Sequence, residues 1–228
     1  MNENTRLVSV GNITFRVRPP TSAGGRKAIL MLHGWTGDEN AMWIFAKRLP
    51  TNYWLLAPRG IVPAPFGGYA WHPHRQGIWP TVNDLYPAVE SLLKVLTPEY
   101  FPEIDFTLAP GSQVSDRPLQ LIGFSQGAAM AFTFGLLHPE IVRAIAGLSG
   151  FLPTDADQYI AQEPLRNVPV LLAHGTQDEL VPVEKARQAA ELLTRAGAQV
   201  DYCEDFVGHK LSATCFRSLE VFFKDLSA

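Results

Sequence analysis

The stretch Leu119-Gln120-Leu121-Ile122-Gly123-Phe124-Ser125-Gln126-Gly127 decides how this chain folds. It starts as an apolar strand, closes in Gly-x-Ser-x-Gly and runs directly into a helical pattern over 126–137. That succession predicts a sharp strand-to-helix turn with the serine at its tip, a nucleophile elbow. A side chain two residues before or after the serine would collide there, so both flanks are glycine. The turn lifts the Ser125 hydroxyl above the sheet. It also aims the unpaired N–H groups of the next helix at negative charge developing nearby. Gly127, Ala128 and Ala129 are small enough to pack closely beneath the strand. Taken alone, Ser125 could be an ordinary helix N-cap, and Gly-x-Ser-x-Gly also occurs by chance. The flanking strand and helix make this occurrence far more specific.

An activated serine needs an acid and then a histidine further along the chain. Residues 168–173 read as a buried strand that ends in His174-Gly175-Thr176-Gln177-Asp178. Asp178 falls just past the strand, with Glu179 as its nearest rival. A further strand over 199–203 leads through a loop to Gly208-His209, and a helix over 212–226 follows. Loops at the carboxyl ends of parallel strands gather on one edge, where ligands bind. Ser125, Asp178 and His209 all follow strands, so they share that edge. A serine hydroxyl is a poor nucleophile at neutral pH. His209 can take its proton during attack on a carbonyl and return it to the leaving group, while Asp178 holds the imidazole tautomer. Attack needs a neutral imidazole, whose reference pKa is ~6.5, so turnover is expected to climb through the slightly acid to neutral range. The oxyanion requires donors as well. The backbone N–H of Gln126 is one, and that of Trp35, in the loop His33-Gly34-Trp35-Thr36-Gly37 after strand 28–32, is the other. Each such donor is typically worth ~10²–10³ in turnover.

On these residues the chain resembles the phospholipase/carboxylesterase group of α/β-hydrolases, which includes the acyl-protein thioesterases. The matching pieces are Leu32-His33-Gly34, Ala57-Pro58-Arg59-Gly60, Gly67-Gly68-Tyr69-Ala70-Trp71, the elbow itself, Leu148-Ser149-Gly150, His174-Gly175-Thr176-Gln177-Asp178 and Gly208-His209. They follow the family's order across residues 28–226. The resemblance implies a small esterase core with no large lid domain and no cofactor. It carries Ser125, Asp178 and His209 over as the triad and Trp35 and Gln126 as oxyanion donors. Two segments depart from the pattern. Gly-Gly-Tyr-Ala-Trp continues as His72-Pro73-His74-Arg75, where relatives more often have an aromatic residue and an acidic stretch. Residues 97–118 are also long for the family.

The chain has 228 residues, with 46% apolar and 18% charged positions and a net charge of −3. It is expected to form one α/β domain over residues 1–228, with a mostly parallel sheet covered by helices on both faces. Neither the charge nor any basic or aromatic cluster supports nucleic-acid binding. No run approaches the ~20 apolar residues of a membrane span, and Met1-Asn2-Glu3-Asn4-Thr5-Arg6 lacks a signal core, so a cytoplasmic location is expected. Cys203 on a strand and Cys215 on a helix read as buried free thiols. Remaining expectations are a hairpin around Gly11-Asn12, a helix near 39–48 capped by Asp38, a helix over 82–96 with Pro87 as a potential kink, and two short strands within 97–118.

His33 and His174 precede glycines at strand ends and read as braces for their own loops. His138 reads as a helix-end residue favoured by the dipole. His72 and His74 have the spacing of a metal pair, but no further ligand accompanies them and no metal is expected. Loop 58–80 is unusually aromatic. Phe66, Tyr69, Trp71 and Trp79 read as a packed wall for the acyl or alcohol group, with Phe151, Leu152 and Leu180 around it. These residues suggest a short- to medium-chain ester as substrate; separately, the protein is expected to act as a monomer or homodimer. A thioesterase or lysophospholipase could use the same triad. A ligand receptor on a hydrolase scaffold is the rival from another class.

Overall fold

The computed structural model describes residues 4–21, 25–73, 75, 77–107 and 112–226. Its strands are β1 (Arg6–Val10), β2 (Ile13–Arg18), β3 (Ala28–Leu32), β4 (Trp54–Pro58), β5 (Val62–Pro63), β6 (Tyr69–Ala70), β7 (Leu119–Phe124), β8 (Val142–Leu148), β9 (Pro169–Gly175) and β10 (Gln199–Asp205). The α-helices are α1 (Val82–Val95), α2 (Gln126–Leu137), α3 (Val183–Arg195) and α4 (Ala213–Asp225). Eight strands form one sheet in the order β1-β2-β4-β3-β7-β8-β9-β10. Strand β2 is antiparallel to both of its neighbours, β1 and β4, and the six strands β4-β3-β7-β8-β9-β10 run parallel. The small β5–β6 ribbon stands apart in the loop after β4.

The sheet is buried on both faces, which explains the unbroken apolar reading of β3 and β4. On one face, Leu85, Val89 and Leu92 of α1, Phe132 and Phe134 of α2 and Leu193 of α3 pack with Leu30 and Leu121. On the other, Met42, Phe45, Leu219 and Phe223 pack with Met31 and Leu55. Helix α2 is buried on nearly every side, as a sequence apolar all round requires. Helix α1 runs uninterrupted through Pro87, and a Thr81–Asp84 capping box fixes its start.

Strand order places the site. The chain leaves β3 for β4 on one side, then returns to add β7 on the other. Adjacent β3 and β7 are therefore a topological switch point, with a crevice between their outgoing loops. The loop after β3 goes to the face of α4, and the loop after β7 enters α2 on the opposite face.

Three local expectations are corrected. The segment near 39–48 is not an α-helix but two 3₁₀ turns, Ala41–Ile44 and Ala46–Arg48. The indole N–H of Trp43 takes the Glu39 carbonyl at 2.9 Å, the acceptor that its backbone N–H would use in an α-helix. Asp38 instead accepts the Asn40 N–H at 2.8 Å. Second, among the described residues 97–118 contains no strand; it holds a turn from Thr97 and a 3₁₀ turn at Val114–Asp116. Phe101 pins the segment to the hairpin with its ring edge-on to Phe15 at 5.5 Å. Third, Cys203 and Cys215 are not free thiols. They form a disulfide between β10 and α4, with Cα atoms 5.8 Å apart. Helix α4 docks beside the edge strand, which brings the two within bonding reach.

Candidate active site

Ser125 has φ 55° and ψ −118°, a backbone conformation that L-residues rarely adopt. Several contacts impose it. The Ser125 N–H donates to Leu148 O of β8 at 2.8 Å, and the Ala128 N–H donates to Ser125 O at 2.9 Å. A Cβ on Gly123 would collide with the Gly127 carbonyl, and one on Gly127 with Leu32 O. Both glycines are thus required by close backbone approach, as the motif implied. Gln126 is the first residue of α2, so its N–H has no acceptor within the helix.

The loop after β3 reaches the same point. A Cβ on Gly34 would stand 3.3 Å from Ser125 Cβ. His33 holds that loop. Its Nε2 accepts the Gly60 N–H at 2.9 Å, so its Nδ1–H donates to Gly34 O at 2.7 Å. This tautomer needs a neutral ring, and burial pushes the His33 pKa down. His33 therefore braces two loops. Glu39 and Arg59 pair beside it, with Arg59 Nε 2.7 Å from Glu39 Oε2. The guanidinium holds the Glu39 carboxyl below its ordinary range.

Asp178 and His209 meet at the adjacent edge. His209 Nδ1 lies 2.7 Å from Asp178 Oδ2. The Asp178 side chain is fully buried, and its other oxygen accepts the N–H groups of Leu180 and Val181 at 3.0 and 2.9 Å. These bonds fix the orientation of the carboxylate. His174 donates from Nε2 to Val181 O at 2.8 Å and tightens the same loop. The His209 ring packs 4.9 Å from Phe124, the residue before the serine. Ser125 Oγ makes no hydrogen bond to His209 in this arrangement; such bonds often tighten only around a bound substrate. Glu179 is exposed and has no part in the His209 bond.

A cleft of about 390 Å³ opens over Ser125 and Gln126. Trp35, Trp79, Phe151 and Leu180 line it, and the Trp79 and Phe151 rings meet edge to face at 4.6 Å. Phe66 is exposed and edge-on to Trp35 at 6.3 Å. The other anticipated wall residues lie elsewhere. Trp71 is a core residue, 1% exposed; its indole N–H donates to His33 O at 2.7 Å and its backbone N–H to Gln126 Oε1 at 2.9 Å. Tyr69 packs under the Arg59 guanidinium, 4.7 Å from its ring centre. Leu152 borders a separate cavity against α3. Conversely, His72, Arg75 and Ile78 line the cleft and were absent from the expected wall. Their only sequence signal was the departure after Trp71. His74 lies outside the described residues. Among the described residues, no group of three or more His, Cys, Asp or Glu is placed to hold a metal ion.

The sequence model of the phospholipase/carboxylesterase family matches residues 15–227. The chain belongs to this family. An acyl-protein thioesterase 1 of Gibberella zeae is 34% identical over 137 residues, covering 54% of this chain and 56% of that protein. A probable inactive carboxylesterase of Oryza sativa subsp. japonica is 27% identical over 207 residues, 86% of this chain and 83% of that protein. Among solved structures, a carboxylesterase from Mesorhizobium loti superposes with TM-score 0.77 at 22% identity, covering 97% of this chain and 99% of that one. That likeness is one of fold, the α/β-hydrolase architecture with no large lid. Family membership makes the chain a member of an ester- and thioester-hydrolase group.

Proposed function

We propose that this chain is a serine carboxylesterase acting on short- to medium-chain esters through an acyl-enzyme. The observation that carries the reading is the 2.7 Å bond from His209 Nδ1 to buried Asp178, on the sheet edge where β7 ends in strained Ser125. His209 Nε2 removes the Ser125 proton as Oγ bonds to the ester carbonyl carbon, and the carbonyl electron pair moves onto oxygen. The N–H groups of Trp35 and Gln126 stabilise that oxyanion. Collapse breaks the bond to the alcohol, which leaves with the proton from His209. Water, deprotonated by His209, then attacks the acyl-serine. The acid is released and Ser125 regains its proton. Asp178 holds the tautomer throughout and steadies the imidazolium.

Trp35, Trp79 and Phe151 bound the cleft and support a short acyl group. A fluorophosphonate probe tests the nucleophile: rapid stoichiometric labelling, lost in Ser125→Ala, is expected. An unlabelled wild type would instead favour a ligand receptor on this scaffold, a reading encouraged by the relative named probable inactive. A thioesterase is the second reading, supported by relatives named acyl-protein thioesterase 1. A panel of oxygen and thiol esters of graded chain length separates the two.

No helix among the described residues is long and apolar enough to cross a membrane. The sequence reading favours a cytoplasmic location. The Cys203–Cys215 disulfide weighs the other way, because disulfides persist mainly in oxidising compartments. Thiol titration of protein taken from its native cells tests the location, and sizing chromatography tests monomer against homodimer.

A further inference from the structure

Arg75 lines the cleft that contains Ser125, among walls otherwise dominated by Trp79, Phe151, Ile78 and Leu180. A guanidinium beside such a surface can serve the fold, serve solvent or serve a ligand. The fold makes little use of this one. Its nearest carboxylate is Asp84, 3.7 Å away and beyond hydrogen-bond length. The two Asp84 oxygens divide the work: Oδ2 accepts the Thr81 N–H at 2.9 Å and the Thr81 hydroxyl at 2.8 Å, closing the cap of α1, and Oδ1 is the long ion-pair partner of Arg75. The Arg75 side chain is 64% exposed and its guanidinium makes no hydrogen bond to any described residue. Its backbone, in contrast, is tied down, because Arg75 O accepts the Ile78 N–H at 3.1 Å. Arg75 therefore brings a planar fork of five N–H donors, none of them hydrogen-bonded to a described residue, to the rim of an apolar cleft. That fork matches a carboxylate or phosphate in bidentate geometry.

We infer that Arg75 forms an anion-binding subsite and that the preferred substrates are esters carrying a carboxylate or phosphate away from the scissile bond. The inference rests on the esterase reading of Ser125. In such a substrate the reacting carbonyl lies at Ser125, the apolar linker lies against Trp79 and Phe151, and the anion meets Arg75. The anion can belong to either half of the ester. In the acyl half, it makes the substrate a hemiester of a dicarboxylic acid. In the alcohol half, it makes the substrate an acylated phospho-alcohol.

Two substrate pairs distinguish these sources. The first is the 4-nitrophenyl hemiester of glutaric acid against its methyl-capped, neutral form. The second is butyryl glycerol 3-phosphate against butyryl glycerol. For the full-length wild type, kcat/KM is expected to favour the charged member of one pair by about 5-fold. Arg75→Gln should bring that ratio to about one and Arg75→Lys should keep part of it, with melting temperatures recorded to establish that each variant folds. The wild-type preference should also shrink as salt is raised, because the subsite is open to solvent. Hydrolysis of the neutral esters with ratios unchanged by Arg75→Gln in both pairs would overturn the subsite and leave the esterase reading intact. A wild type no more active than Ser125→Ala on all four esters would remove the esterase reading, and the subsite with it.

Discussion

Gly34 lies directly against Ser125, so that a Cβ on the glycine would stand 3.3 Å from the serine Cβ. Two loops from opposite sides of the switch point meet there, one carrying the Trp35 N–H and one the serine. An added methyl must push them apart by a few tenths of an ångström. Gly34→Ala is therefore expected to lower kcat by about 10-fold or more while leaving the melting temperature nearly unchanged, since small misplacements of reacting groups are costly. Matching losses of stability and turnover would indicate a merely structural glycine.

The triad assignment has its own kinetic signature. Ser125→Ala and His209→Ala should each reduce ester turnover to near background, because members of such a unit fail together. Asp178→Asn should cost about 10⁴-fold, since the amide would no longer hold the imidazole in the required tautomer. Purified Ser125→Ala with near-wild-type turnover would defeat the mechanism.

Two tryptophans of loop 58–80 should respond differently. Trp71 is buried and hydrogen-bonded to the His33 carbonyl, so Trp71→Ala should destabilise the fold by about 3–5 kcal/mol, as read by urea denaturation. Trp79 faces the cleft, so Trp79→Ala should shift the best acyl chain upward in length. An acyl optimum moved by Trp71→Ala and not by Trp79→Ala would reverse these roles.

The disulfide closes a short loop around the segment that carries His209, since its cysteines are 12 residues apart. Cys203→Ala with Cys215→Ala should lower stability by about 3 kcal/mol in the loop-entropy account. Reducing agent should destabilise the wild type by a similar amount and leave the double variant unaffected, which thermal melts with and without dithiothreitol will reveal.

Acid should loosen the loops behind the serine in two stages. The His33 pKa is lowered by burial, so the unfolded chain takes up that proton more readily than the folded one. Stability from this group is complete above the unfolded value of ~6.5 and falls as pH drops below it toward the folded value. The Glu39 carboxyl is held low by Arg59, so its contribution is present above ~4.3 and lost as pH falls through the depressed folded value. Melting temperature measured against pH should decline in both windows, and Glu39→Gln should shrink only the lower one, where the carboxyls of Asp84 and Glu204, also held low by their partners, keep the remainder. A Glu39→Gln curve identical to wild type below pH ~4 would exclude the carboxylate as the cause.

What the sequence alone determined is what short-range sterics and pattern dictate. The elbow was legible because a tight strand-to-helix turn demands glycine on both flanks of Ser125, and those contacts involve near neighbours. The parallel sheet followed from strands alternating with helices, and the edge shared by Ser125, Asp178 and His209 from all three trailing strands. The tertiary structure decided what depends on facing. Trp71 and Trp79 occupy one aperiodic loop, so nothing local distinguishes a core ring from a cleft ring; packing against His33 took the first inward. The pairing of Cys203 with Cys215 required α4 to dock on the sheet edge. The two 3₁₀ turns arose because the Trp43 indole claimed the Glu39 carbonyl. That Arg75 lines the cleft was decided by the fold as well, because only packing brings it beside Trp79, Phe151 and Leu180.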